Sequence, residues 1–168
     1  GSLNQIVVPT DSKAATIADL RGEIVSTSVG SAAHGMLATG LSAAGMTYKD
    51  LGKGEYLPFA ESVALMKNRQ LNATLQSAGL GVASLKELST ATQIAVVSVP
   101  KEIVDRNGPP FVAATIPAPT YAGQDRDVPT AAVVNYLVTS SAVSDDLAYQ
   151  MTRLIFDSLP ELANAHVA

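Results

Sequence analysis

The stretch Glu23-Ile-Val-Ser-Thr-Ser-Val-Gly-Ser-Ala-Ala-His-Gly35 decides the fold expected for the rest of the chain. Its β-branched first half, up to Val29, predicts a strand, and Gly30-Ser31 predicts a tight turn. The small residues that follow, 32–44, predict a helix that Gly45 ends. Strand, turn and helix are therefore expected in immediate succession.

Strands and helices are predicted to alternate along the remainder of the chain. Further strands are expected at residues 5–8, 55–57, 71–75, 94–99, 111–116 and 132–139. Further helices are expected at residues 17–20, 60–68, 82–89, 101–107 and 145–159. Alternation at this spacing predicts an α/β fold with a mostly parallel sheet flanked by helices.

A proline-rich segment, Thr115-Ile-Pro-Ala-Pro-Thr-Tyr-Ala-Gly-Gln-Asp-Arg-Asp-Val-Pro-Thr130, precedes the last predicted strand. Proline fixes φ and lacks an amide donor, so the first half of this segment is expected to be an ordered loop. The apolar run after it predicts a buried strand. A stiff loop that leads into a buried strand is expected to position a residue.

Composition excludes several classes of function. The chain has 168 residues, of which 47% are hydrophobic and 15% charged, which predicts a packed core rather than disorder. The net charge is −4 with no basic run, so no nucleic-acid partner is expected. Without cysteine there are no disulfides or thiolate metal sites, and no apolar run approaches the roughly 20 residues of a membrane helix.

Residues suited to catalysis do not cluster in this sequence. The two histidines, His34 and His166, lie far apart, and no metal-ligand spacing or Gly-x-Ser-x-Gly motif occurs. The paired carboxylates Asp145-Asp146 are better explained by the first turn of a helix than by acid/base chemistry. We therefore expect neither an enzyme nor a metal or cofactor.

The turn after Val29 is the first candidate binding site. The start of a helix has unpaired amides and the positive end of the helix dipole, which together hold a carboxylate without a charged side chain. The candidate ligand-binding residues are Gly30, Ser31, Ala32 and Ala33. The alternative is that Ser31 only caps a structural helix.

Two further patches are candidates. Gln76, Ser77 and Ala78 follow a short predicted strand, at the strand edge where ligands of such sheets usually bind, although an ordinary connecting loop is equally compatible. Tyr121, in the proline-rich loop, offers a ring face and a hydroxyl to a solute, or else fills the core.

Several motifs occur in one order along nearly the whole chain. They are Ile17-Ala-Asp-Leu-Arg-Gly22, Val29-Gly-Ser31, Ala43-Ala-Gly45, Phe59-Ala-Glu61, Ser77-Ala-Gly79, Ile116-Pro-Ala-Pro-Thr-Tyr-Ala-Gly-Gln124 and Asp127-Val-Pro-Thr130. In this order they resemble the C-terminal part of TAXI-family solute receptors, the extracytoplasmic binding proteins of TRAP transporters.

The resemblance implies one lobe of a type II periplasmic-binding-protein fold. It covers only the second half of such receptors, so the chain is expected to be a fragment. Residues 1–129 would form the ligand-binding lobe, and residues 130–168 a hinge strand and a helical segment that returns to a missing first lobe. A periplasmic or extracytoplasmic location and TRAP permease subunits as partners are implied as well.

The resemblance also implies roles for the candidate site residues. Helix-end amides near Gly30 and Ser31 would hold a small carboxylate or amino-acid solute, glutamate-like in some members. Gln76 and Ser77 would supply selectivity, and Tyr121 would cover the solute. Where the family commonly has a Gly-Ser-Gly-Thr-like turn, this chain has Ala32-Ala33-His34, so an imidazole replaces a hydroxyl and the role of His34 stays open.

Two other classes of function remain compatible with the sequence. One is a ligand-sensing regulatory module of the same fold. The other is a non-binding interaction domain that uses the helix at 145–159, whose apolar residues fall at helical spacing. For that helix the sequence predicts an exposed apolar face or a dimer formed through it.

Overall fold

The computed structural model describes residues 1–28 and 32–165. The chain divides into two compact units, Gly1–Val134 and Asn135–Ala168. All strands found in the described residues belong to the first unit. Within the same residues, no helix is long and apolar enough to cross a lipid bilayer.

Seven strands form one mixed sheet in the first unit. They are β1 (Ser2–Pro9), β2 (Ile24–Thr27), β3 (Lys53–Tyr56), β4 (Ala73–Ala78), β5 (Ile94–Val97), β6 (Phe111–Ile116) and β7 (Val128–Val133). The order is β3-β2-β4-β1-β7-β6, and β5 pairs with β1 beside β7.

The strand directions confirm the predicted α/β fold and refine it. Strand β2 runs parallel to β3 and β4, whereas β1 is antiparallel to β4, β5 and β7, and β6 is antiparallel to β7. Strands β2, β3, β4, β5 and β7 therefore share one direction, so the sheet is mostly parallel by direction. Its hydrogen-bonded pairs are mixed because β1 runs against all three strands that it contacts.

Helices cover both faces of the sheet. They are α1 (Ala32–Ala43), α2 (Phe59–Lys67), α3 (Ala83–Ala91) and α4 (Lys101–Asn107), with single 3-10 turns at Ile17–Leu20 and Tyr48–Asp50. Leu37 of α1 and Val104 of α4 lie in one buried apolar cluster, and Met66 of α2 and Leu85 of α3 in another. We call the two sides of the sheet the α1 face and the α3 face.

Strand β4 differs from its prediction. The sequence predicts a strand at 71–75 and a loop from Ser77, but the strand continues to Ala78. Antiparallel pairing with β1 explains the extension, because Gln5 lies opposite Gln76 and Leu3 opposite Ala78. Such a partner supplies ladder hydrogen bonds to residues that have little strand propensity of their own.

Strand β7 begins four residues earlier than predicted and ends six residues earlier. The strand predicted at 132–139 occupies Val128–Val133 and includes Pro129. Proline is tolerated there because its carbonyl, rather than an amide, makes the contact, accepting from the Val99 N–H at 2.9 Å. Beyond Val133 no partner strand continues among the described residues, and Leu137 is 79% exposed rather than buried.

The second unit contains α5 (Asp145–Asp157) and α6 (Leu159–Ala165). Helix α5 begins where predicted, because the Ser144 hydroxyl caps it by accepting from the Leu147 N–H at 3.3 Å. The predicted exposed apolar face is present, since Leu147, Met151 and Leu154 are 45–67% exposed. The second short helix was not predicted, although Pro160 in its first turn is typical of a helix start.

Candidate functional site

One edge of the sheet collects the ends of the parallel strands. Strand β2 ends there at Thr27 and β4 at Ala78. Leu3, near the start of the oppositely directed β1, lies across from Ala78, and Ser2 pairs with Val133 at the end of β7. We call this the carboxyl edge; in α/β sheets ligands bind outside the carboxyl ends of the strands.

The first predicted site residues fall at this edge. Gly30 and Ser31 lie outside the described residues. Helix α1 begins at Ala32, four residues after Ser28, so its first turn also lies at the carboxyl edge. Ala33 is fully buried in the α1-face cluster and can offer a solute only its backbone.

Ser77 lies on the same face and edge as the start of α1. Leu75 packs in the α1-face cluster, and side chains alternate along a strand, so Ser77 two residues later points to that face. Its side chain is partly exposed. Ser77 and the first turn of α1 therefore lie on the same face of the sheet at the carboxyl edge; that they bind a solute stays a prediction.

Two buried oxygens on the α1 face have no hydrogen-bond partner among the described residues. The first is Thr27 Oγ1, on a residue that is 2% exposed and follows Val25 of the α1-face cluster by two positions. The second is Asn4 Oδ1, on a 1% exposed residue directly opposite Ser77. Such atoms cost free energy, and they concentrate where water or a ligand is bound.

The Asn4 amide contacts β7. Its Nδ2 donates to the Ala131 carbonyl at 3.4 Å, and a flipped amide would instead place two oxygens against each other. Asn4 is not among the predicted site residues. The available signal was a polar residue of low strand propensity next to the apolar run that begins at Ile6.

Gln76 lies on the opposite side of the sheet. It is fully buried, and the Ser84 hydroxyl of α3 donates to its Oε1 at 2.7 Å. Its Nε2 has no hydrogen-bond partner among the described residues. Gln76 and Ser77, predicted as one patch, therefore point to different faces because they are consecutive in a strand and not in a loop.

Tyr121 also lies on the α3 face, within the core. It is 2% exposed, its hydroxyl donates to Gln5 Oε1, and burial raises the pKa of this hydroxyl to about 12. Ala33 belongs to the cluster on the other face, so the sheet separates the two residues. The predicted role of Tyr121 as a cover over a solute held at α1 is thus not supported, and the core role fits its position.

His34 packs in an aromatic cluster with Tyr48 and Tyr56. The His34 ring stacks on Tyr48 with centroids 5.0 Å apart, and the Tyr56 ring lies tilted at 5.5 Å. The Tyr48 hydroxyl donates to the His34 carbonyl at 3.0 Å. Burial, and then the neighbouring Tyr56, raise the pKa of Tyr48 to about 12. These contacts favour a packing role for His34.

A separate hollow of about 490 Å³ lies away from the carboxyl edge, near the amino end of β7. Its walls include Lys13, Arg126 and Asp127, all of which are exposed. It contains none of the predicted site residues. Among the described residues, no group of three or more His, Cys, Asp or Glu side chains is arranged to hold a metal ion.

Comparison with known proteins agrees with this architecture. Residues 3–168 match the NMT1-like family. No curated protein matches the chain. The periplasmic aliphatic sulphonate binding protein SsuA from Escherichia coli aligns with a TM-score of 0.52 and 20% identity, over 77% of this chain and 34% of SsuA.

A second structure, an ancestral arginine-binding protein bound to arginine, aligns with a TM-score of 0.51 and 16% identity. The alignment covers 95% of this chain and 55% of that protein. The chain thus spans between about a third and just over half the length of these structures. At this level of identity the likeness shows the fold, that of periplasmic binding proteins; membership of the TAXI family stays a prediction.

Proposed function

The chain belongs to the NMT1-like family, and from that premise we propose that it is the solute-contacting lobe of an extracytoplasmic binding protein. The solute is a small carboxylate or amino acid, glutamate-like in charge. Residues 1–129 supply the ligand-binding lobe, and residues 130–168 lead toward a second lobe. The TAXI-type motifs favour a TRAP-type membrane permease as the partner that receives the solute.

One observation carries this proposal: the first turn of α1, Ser77 and two buried oxygens, which have no partner in the part of the chain that the structure describes, share one face at the carboxyl edge. A helix start supplies amide donors and a positive dipole end to a carboxylate. A serine hydroxyl beside it can donate to the same anion. The oxygen of Asn4 needs a donor, which an amino group or a water molecule provides.

The arrangement of the strands supports a hinge at the same edge. Ser2 and Val133 pair there, so β1 and β7, the first and last strands in chain order, lie side by side where a solute would bind. Two-lobed binding proteins close by hinge motion about such crossing segments. The partial coverage of SsuA and of the arginine-binding protein is what one lobe of a two-lobed protein would give.

The deciding experiment is a thermal-shift screen of the full-length parent protein. The probes are L-glutamate, L-arginine, succinate and ethanesulfonate, because these cover the amino acid, dicarboxylate and sulfonate classes. A bound solute must raise the melting temperature by mass action. A shift with glutamate or succinate supports the proposal. A shift with ethanesulfonate alone would show that the solute is a sulfonate and not a carboxylate. No shift with any probe contradicts the proposal.

A serine substitution locates the site. Ser77→Ala is expected to weaken binding of the solute about tenfold, the equivalent of about 1.4 kcal/mol, by removing a hydrogen bond to a charged group. Ser42→Ala, at an exposed position of α1, is the matched control and is expected to leave affinity unchanged. Equal affinities for both variants would place the solute elsewhere.

The transport role has its own tests. Periplasmic location is checked by fractionating cells that express the full-length protein. Coupling is checked by solute uptake into vesicles that contain a TRAP permease, with and without the receptor. Binding without stimulated uptake would favour a sensory module of the same fold. We expect the 168-residue chain alone to bind weakly, since in a two-lobed protein the other lobe supplies part of the contacts and the closing motion.

A second candidate function is association through α5. Its exposed Leu147, Met151 and Leu154 form an apolar surface in the second unit. A surface of this kind usually packs against another protein surface. We propose that it meets either the other lobe of the parent protein or, in the isolated chain, a second copy.

A further inference from the structure

The proline-rich loop between β6 and β7 holds Tyr121 in one place. Asp127 Oδ1 accepts from the Ala118 N–H at 2.9 Å across the base of the loop. The Gln124 side chain donates to the Ile116 carbonyl at 3.1 Å and accepts from the Tyr121 N–H at 3.3 Å. The loop is therefore braced by its own side chains, and Tyr121 has little freedom to move separately from it.

A continuous set of hydrogen bonds leads from this loop to the carboxyl edge. The buried Tyr121 hydroxyl donates to Gln5 Oε1. Gln5 is fully buried, and its Nε2 donates to the Ala78 carbonyl at 3.4 Å and the Gly79 carbonyl at 3.2 Å. Three segments that are distant in sequence are joined in this way by two side chains.

The segment that receives these bonds follows the candidate site residue Ser77 directly. Ala78 ends β4, and the chain then turns toward α3 through Gly81, which has a φ of +67°. Two successive carbonyls held by one side-chain amide fix the direction in which this segment leaves the sheet. Ser77 is the last residue but one of β4, so this exit begins directly beside it.

We propose that Gln5 and Tyr121 are positioning residues that hold the Ser77–Ala78–Gly79 segment in the geometry that binds solute. The inference rests on the proposed function, and it replaces the direct contact that the sequence predicts for Tyr121. Tyr121 acts from the opposite face of the sheet, through Gln5 and through a hydrogen bond between its hydroxyl and the Gly81 backbone.

The pair makes contacts that apolar residues could not replace. Tyr121 packs in the apolar cluster of the α3 face with Leu85 and Val128, and Gln5 is fully buried beside it, accepting from its hydroxyl. An apolar residue at position 5 would leave the carbonyls of Ala78 and Gly79 without the donor that Gln5 supplies.

The first test needs no solute. In the full-length protein, Tyr121→Phe is expected to speed hydrogen exchange at the amides of Gly79, Leu80 and Gly81 about tenfold relative to the amide of Val25 in β2. Tyr48→Phe, which removes a different partly buried tyrosine hydroxyl, is expected to leave that ratio unchanged. A uniform change across all these amides would show only a loss of global stability and would overturn the inference.

The second test separates position from stability. The double variant Gln5→Leu/Tyr121→Phe is expected to lower the melting temperature, because the Ala78 and Gly79 carbonyls lose their donor, and to bind the solute found in the thermal-shift screen about tenfold more weakly than the wild type. Gly52→Ala, which is expected to destabilise the fold at the amino end of β3, is the stability control and should keep the wild-type affinity. Wild-type affinity in the double variant, or an equal loss of affinity in both variants, would overturn the positioning role.

The proposed function and the positioning inference can fail independently, because the first depends on solute binding and the second also on hydrogen exchange. If the wild-type protein binds none of the probes, the proposed function fails, yet the exchange ratio still decides whether Gln5 and Tyr121 hold the segment. If the wild type binds and the double variant binds equally well, the positioning inference fails and the proposed function stands.

Discussion

The Ser26 hydroxyl of β2 donates to Thr74 Oγ1 of the neighbouring parallel strand β4 at 2.8 Å, and both residues are at most 1% exposed. Ser26 Oγ also lies 2.9 Å from Ser62 Oγ of α2. Three buried hydroxyls thus join two strands and a helix. Ser26 precedes the last residue of β2 and is the register partner of Thr74, so the contact helps to fix the register of β2 against β4 near the carboxyl edge.

Removing the central hydroxyl should destabilise the fold. Ser26→Ala leaves the buried hydroxyls of Ser62 and Thr74 without this partner, which is expected to lower the free energy of unfolding by about 1–3 kcal/mol. Urea unfolding measures the change. The control Ser42→Ala, at an exposed position of α1, should alter the value by less than about 0.5 kcal/mol. Similar values for the two variants would contradict the structural role of the hydroxyl cluster.

Two nearby glycines are expected to respond differently to alanine. A Cβ at Gly52 would lie 2.2 Å from the Gly22 carbonyl oxygen, a backbone atom that cannot move aside easily. A Cβ at Gly54 would meet the Tyr48 ring at 3.5 Å, an ordinary contact. Gly52→Ala should therefore destabilise by about 1–3 kcal/mol, and Gly54→Ala by much less. Equal unfolding midpoints for the two variants would show that Gly52 does not lie against the Gly22 carbonyl.

Alkaline pH should weaken the fold through Tyr48 and Tyr121. Both pKa values are raised from 10.0 to about 12, mainly by burial, so the unfolded chain loses these protons first. Their contribution to stability is therefore complete below about pH 10 and is lost as the pH rises toward 12.

Ultraviolet absorbance follows this titration cleanly, because the chain contains five tyrosines and no tryptophan. Tyr121→Phe should reduce the amplitude of the phase near pH 12 by about half if Tyr48 and Tyr121 contribute equally. An unchanged amplitude in that phase would mean that the Tyr121 hydroxyl is not buried.

The apolar surface of α5 should promote self-association of the isolated chain. Sedimentation velocity at increasing concentration is expected to show dimers, because a group of exposed apolar side chains on one helix favours association. Leu154→Glu places a charge at a 67% exposed apolar position and should return the chain to the monomer. Thr152→Glu adds the same charge at an exposed polar position of the helix and should leave the dimer intact. A monomer at all concentrations would contradict self-association through α5.

Local signals predicted the elements whose limits depend on local chemistry. The helix Lys101–Asn107 and the strand Phe111–Ile116 have the predicted limits, since Pro100 and Gly108 bound the helix and prolines at 110 and 117 bound the strand. Strands β4 and β7 were misplaced because their lengths depend on pairing with β1 and β6. Pairing between segments far apart in sequence leaves no mark in the local pattern of residues.

The candidate site was predicted in part for the same reason. A polar residue after a strand suggested Ser77, and a glycine-serine turn suggested the start of α1. The sequence did not reveal that Gln76 and Tyr121 face the other side of the sheet, or that Asn4 lies opposite Ser77. Those relationships require the register of β1 against β4, which only the folded chain defines.

The pairing of Ser2 with Val133 also has a mechanical consequence. Ser2 lies at the amino end of β1 and Val133 at the carboxyl end of β7, so the chain enters and leaves the first unit at neighbouring positions. Tension between these two ends would pull the paired residues directly apart and load their hydrogen bonds before any others in the sheet.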